Sequence, residues 1–251
     1  KQTLRLLNIG FKKTPSTLHV APALTRWVKQ TGPKVALGLY LDCVQQEHGF
    51  IRFVSLPRLE DNPNAPIQRL YVEPAVAPRW VSPDVDPAEW PATQPLLDAV
   101  AEHQRLVLLG DPGSGKSTLV SWIAWQLARH HHAGTSLWTE RLGRLVPLPM
   151  ILRDLGIGPG VTWDKLLDAF IQQPMGKLLT FTNLRKLLDD GQAMIMLDGL
   201  DEIGNPAARR DLQYSFFEGI KRNQHCRWLL TSRVVGYDEE QERLRRAPGK
   251  G

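Results

Sequence analysis

Apolar residues fall along this chain in two alternating patterns. Unbroken runs at Leu106 to Leu109, Leu145 to Leu152, Ala193 to Leu197 and Trp228 to Thr231 have strand length. Between and after them, stretches at 116–131, 163–172, 181–190 and 206–222 repeat their apolar positions at helical spacing. The first shows it best, since Leu119, Val120, Ile123, Leu127 and Ala128 form one stripe. Unbroken apolar strands are strands covered on both faces, so the alternation predicts an α/β fold with a parallel sheet between helical layers.

Upstream the pattern is smaller in scale. Leu37, Tyr40, Leu41 and Val44 follow one helix face, and Phe50 to Leu56 has the composition of a short strand. This predicts a small mixed α/β appendage over residues 1–73. Six prolines then recur at Pro74, Pro78, Pro83, Pro87, Pro91 and Pro95, a spacing that forbids a helix and marks residues 74–95 as a connector. Trp80 and Trp90 within it argue for a connector packed on the domain that follows, residues 96–251.

Composition narrows the class. In 251 residues, 42% hydrophobic and 23% charged, the chain is neither disordered nor of low complexity. No run is long and apolar enough to predict a membrane span. Cys43 and Cys226 are too far apart for a paired metal or redox motif, and two cysteines predict a reducing, cytoplasmic setting. The net charge of +5 belongs to residues 1–73, which carry ten Lys/Arg against five Asp/Glu. Those charges are scattered, and with Phe11, Trp27, Phe50 and Phe53 they compose no nucleic-acid module, so a solvated face is expected rather than nucleic-acid binding.

The chemistry begins where the first strand ends. Leu106 to Leu109 runs into Gly110-Asp111-Pro112-Gly113-Ser114-Gly115-Lys116-Ser117-Thr118, the GxxxxGK(S/T) phosphate loop. Glycines let backbone N–H groups converge on phosphate oxygens, Lys116 reaches the β- and γ-phosphates, and Ser117 offers a hydroxyl to Mg2+. The helix that follows points its positive end at the same anion.

Such a loop needs an acid at the end of a neighbouring strand. The run Ala193 to Leu197 ends in Asp198 and continues Gly199-Leu200-Asp201-Glu202. Asp198 is expected on the metal side, and Asp201 or Glu202 is expected to orient or deprotonate the attacking water.

Together, Gly110 to Thr118 and Leu197 to Glu202 resemble the NACHT branch of the STAND class of P-loop signalling ATPases. Its mark is a tiny residue after the metal-side acid and a further acid two places beyond. Pro147 to Arg153 is similar to the family's second strand, Leu229 to Arg233 to its sensor 1 segment, and Leu70-Tyr71-Val72 to the segment preceding the domain in prokaryotic members. The resemblance implies a three-layer αβα P-loop NTPase with a mostly parallel sheet. The strand ending in Arg233 would lie between the phosphate-loop strand and the Asp198 strand, with Arg233 sensing the γ-phosphate. Adenine would sit near Tyr71 to Trp80.

The family implies an ATP/ADP and Mg2+ switch with slow hydrolysis and self-association on activation. An unknown trigger ligand and effector would complete it, in prokaryotic defence or stress signalling. Only 18 residues follow Arg233. The expected sheet is therefore incomplete at its C-terminal end, and the chain is expected to be part of a larger sensor-effector protein. Two other readings are a housekeeping AAA-type ATPase and a nucleotide-stabilised scaffold without turnover. Gly199 followed by Leu200-Asp201-Glu202 speaks against the first.

Three smaller features carry bland expectations. His130, His131 and His132 are consecutive on a helix and cannot converge on one ion, so they are expected at the negative helix end. Trp122 and Trp125 are expected in packing. Ser121 and His103 lack the partners of a hydrolase triad.

Overall fold

The computed structural model describes residues 11–14, 17–20, 32–52, 64–77, 86–89, 91–131 and 134–233. In chain order the elements are β1 (Phe11–Thr14), β2 (Thr17–Val20), α1 (Pro33–His48), β3 (Phe50–Arg52), β4 (Asn64–Pro66), α2 (Ile67–Leu70), β5 (Ala75–Val76), β6 (Gln94–Pro95) and α3 (Leu96–Glu102). The larger part follows as β7 (Arg105–Leu109), α4 (Lys116–Arg129), α5 (Leu137–Leu142), β8 (Val146–Ile151), α6 (Trp163–Gln172), α7 (Phe181–Asp189), β9 (Ala193–Asp198), α8 (Pro206–Arg222) and β10 (Arg227–Ser232). Trp80, Trp90, residues 53–56 of the predicted strand and the tail after Arg233 lie outside the described residues.

The four apolar runs form one parallel sheet in the order β7-β10-β9-β8. The chain crosses from β7 to the far edge at β8, then returns through β9 and β10. Because the chain reverses its direction across the sheet after β8, the right-handed rule for parallel crossovers assigns α4 to one face and the later helices to the other. The three-layer α/β architecture that the alternation predicts is thus the one observed.

Each face packs for a local reason. On the α8 side, Trp163, Phe216 and Trp228 make an aromatic cluster, with ring centroids 5.2 Å apart for Trp163–Trp228 and 5.5 Å for Phe216–Trp228. Gly219 lets α8 approach it, because a Cβ there would fall 2.8 Å from Trp228 and 2.9 Å from Trp163. On the α4 side, Val120, Ile123 and Leu127 share one core with Ala36, Leu39, Tyr40 and Val44 of α1. The Tyr40 hydroxyl donates to the Pro147 carbonyl at 2.7 Å, and His48 Nδ1 lies 3.1 Å from Ser121 Oγ. The pattern before the connector therefore supplies a helix that packs directly on the P-loop helix.

β8 forms an edge of the sheet among the described residues. Val146 N–H donates inward to Gln192 at 2.7 Å, so alternation turns Pro147 and Pro149 outward. The connector's two ends meet in the β5–β6 pair, Ala75 opposite Pro95, and Leu97 N–H donates to Glu73 at 3.0 Å. Tyr71 just before it stacks on Trp122 at 4.2 Å, and Trp122 on Trp125 at 5.4 Å. No helix among the described residues is long and apolar enough to cross a membrane.

Candidate functional site: the phosphate loop and the acid turn

The helices that follow β7 begin in two ways. Ser136, Thr162, Thr180 and Asn205 each accept a backbone N–H with a side-chain oxygen and so cap α5, α6, α7 and α8. The N-cap of α4 is Gly115, left-handed at φ +87 and without a side-chain cap. Its first-turn N–H groups keep their donor capacity for an anion. Gly113, at φ +78, completes the tight loop. A Cβ on Gly110 would come 2.7 Å from Ser114 Oγ, so glycine there keeps the loop closed.

Lys116 folds over this loop. Its Nζ donates to the carbonyls of Gly110 at 2.6 Å and Asp111 at 2.9 Å, and reaches Ser114 Oγ at 3.3 Å. Ser117 is exposed at the helix start and Thr118 is half-buried behind it; Asp111 and Pro112 form the exposed tip. Gly110 N–H donates to the Ser232 carbonyl at 3.3 Å, tying the loop to the end of β10.

Asp198 ends β9 only 3% exposed. The hydroxyl of Thr231 donates to Asp198 Oδ1 and accepts the Gly199 N–H at 2.9 Å. One buried hydroxyl thus orients the acid and pins the turn after it. Gly199 is left-handed at φ +85, which swings the short 3-10 turn Leu200–Glu202 back over the strand end.

That turn separates its two acids. Asp201 is engaged on both oxygens by Arg233, whose backbone N–H donates to Oδ1 at 2.9 Å and whose Nε lies 2.8 Å from Oδ2. Glu202 is paired instead with Arg153, Nη1 to Oε2 at 3.0 Å. Arg153 stands on the Leu152–Leu155 turn that leaves β8, with Asp154 3.7 Å from its Nε. Arg233 leaves β10, which lies between β7 and β9 as the resemblance implies.

The predicted site residues therefore converge at one end of the sheet. Thr231 and Arg153 are the partners that sequence reasoning missed. A polar residue inside the buried run Leu229 to Ser232 was the available signal for Thr231, and an arginine directly after an apolar run was the signal for Arg153. Elsewhere, among the described residues, no three His, Cys, Asp or Glu side chains cluster as metal ligands. Burial and neighbouring Arg129 hold His130 below the ordinary histidine pKa, which works against its charging at the end of α4.

The donor set suits a magnesium nucleotide. A serine hydroxyl and a buried carboxylate are hard oxygen ligands, and free helix N–H groups beside a lysine suit phosphate. Comparison with curated proteins found no match, and comparison with solved structures found none. The NACHT domain family model matches residues 104–248, more than half of the chain. The chain therefore belongs to the NACHT-domain P-loop NTPases.

Proposed function

We propose that this chain is the ATP-driven switch of a larger sensor-effector protein, binding Mg·ATP and hydrolysing it slowly. The observation that carries this is the convergence of the uncapped α4 terminus, Lys116 and the Thr231-oriented Asp198 at one sheet end. Residues Gly110 to Thr118 hold the phosphates. Ser117 and Asp198 would hold Mg2+, which when bound would supply positive charge to the phosphate oxygens.

The two acids of the turn take different roles. Asp201, committed to Arg233 on both oxygens, positions that arginine to report the γ-phosphate. Glu202 is the base. It takes a proton from water as the water oxygen bonds to the γ-phosphorus, and the bond from phosphorus to the bridging oxygen breaks to release ADP.

Nucleotide state would govern self-association and an attached effector, in defence or stress signalling. Converting such a switch from mostly off to mostly on takes about 10⁴-fold differential affinity, or about 5.5 kcal/mol. Trigger, nucleotide and copy-to-copy contacts supply that together.

Titration of the full chain with ATP and ADP, with and without Mg2+, tests the proposal. Lys116→Ala is expected to abolish Mg·ATP binding. Unchanged affinity in that variant sinks the assignment.

A further inference from the structure

The turn Leu200–Glu202 sends its acids to opposite neighbours of β9. Asp201 leans to β10, the strand beside β7, and Glu202 leans to Arg153 at the exit of β8, the strand farthest from β7. The phosphate cradle begins at the end of β7. Glu202 is therefore held toward the side of the site away from the phosphates.

Two features fix it there. Its carboxyl lies over Gly199, where an added Cβ would stand 3.1 Å from the carboxyl carbon and 3.2 Å from Oε2. Arg153, which holds that carboxylate at 3.0 Å, also has Asp154 3.7 Å from its Nε. The Arg153 side chain is 57% exposed and that of Glu202 33%, so the pair is one that water can open.

We infer that Arg153 is a positioning residue that parks the Glu202 carboxylate away from the attacking water and so sets the basal rate of ATP turnover. The inference rests on the reading of Glu202 as the base. Turnover then requires Glu202 to leave Arg153 before it can accept the water proton. The tiny residue after the metal-side acid acquires a physical reason too. A Cβ at Gly199, strained already by its positive φ of +85, would crowd the parked carboxyl at 3.1 Å and make it give way by a few tenths of an ångström.

Steady-state ATP hydrolysis by the full chain tests this. Arg153→Gln is expected to raise kcat about three- to tenfold while KM for ATP stays within about twofold, because Arg153 restrains the base rather than the nucleotide. ATP affinity measured by calorimetry is expected to match the native chain. Arg153→Lys, which keeps the charge, is expected to stay near the native rate, and Arg185→Gln, which opens an ion pair elsewhere, to change nothing. Where native turnover is below detection, its appearance in Arg153→Gln supports the inference.

A kcat at or below the native value in Arg153→Gln, or silence in both proteins, overturns it. Glu202→Gln separates this inference from the reading beneath it. That variant alone is expected to lose turnover and keep affinity, and native turnover in it would sink the base assignment. A gain from Arg153→Gln that persists in the Arg153→Gln/Glu202→Gln double variant overturns the parking of Glu202 specifically.

Discussion

The phosphate loop and the acid turn meet at the same end of the sheet, yet they are built from different materials. The loop is backbone: left-handed glycines, an uncapped helix and one lysine bonded to main-chain carbonyls. The turn is side chains: Thr231 on Asp198, Arg233 on Asp201 and Arg153 on Glu202. A backbone cradle is rigid and binds, whereas part-exposed ion pairs can exchange partners and therefore suit a step that must be switched.

That division orders the consequences of mutation. The largest effect is expected in the loop. Gly115→Val, forcing a β-branched residue to φ +87, should lower ATP affinity at least about 100-fold by calorimetry, since both the cradle and the start of α4 are displaced. Thr231→Val should come next. It leaves the buried Gly199 N–H unsatisfied and Asp198 without its hydroxyl, costing about 1–3 kcal/mol in a urea unfolding curve and reducing turnover more than affinity.

Asp201→Asn should be milder for stability, about 1 kcal/mol, because Arg233 is half-exposed. Its functional signature should be specific: a smaller ratio of ATP to ADP affinity once Arg233 is no longer aimed. If that ratio stays native, Asp201 does not serve Arg233. The smallest effect is expected from Asp190→Asn, which opens the exposed Lys186–Asp190 pair at helical i,i+4 spacing. It should shift stability by less than about 0.5 kcal/mol and leave both nucleotide affinities unchanged.

The same contrast explains what could be read in advance. The loop's chemistry is contiguous, so Gly110 to Thr118 announces itself, as do the helices at 163–172 and 206–222 through their apolar spacing. The turn's chemistry depends on sheet register. Leu230 pairs with Leu197, and only that alignment sets Thr231 beside Asp198. Which acid each arginine takes depends on the left-handed Gly199 and the path of the 3-10 turn, neither of which periodicity encodes. Likewise the face of α1 is visible in the spacing of Leu37, Tyr40, Leu41 and Val44. Its seat against α4 is a long-range contact that local pattern cannot supply.

The outward prolines of β8 have a further consequence. At Pro147 and Pro149 that edge presents no N–H, and Tyr40 occupies the Pro147 carbonyl. An incoming strand would find no donor at either proline and the Pro147 acceptor already taken, so templated strand addition and edge-to-edge aggregation are discouraged there. Among the described residues, β7 remains as the edge where backbone pairing could extend the sheet. Among the described residues, extension of the sheet by backbone pairing is thus favoured at the β7 edge, beside the phosphate loop, over the β8 edge.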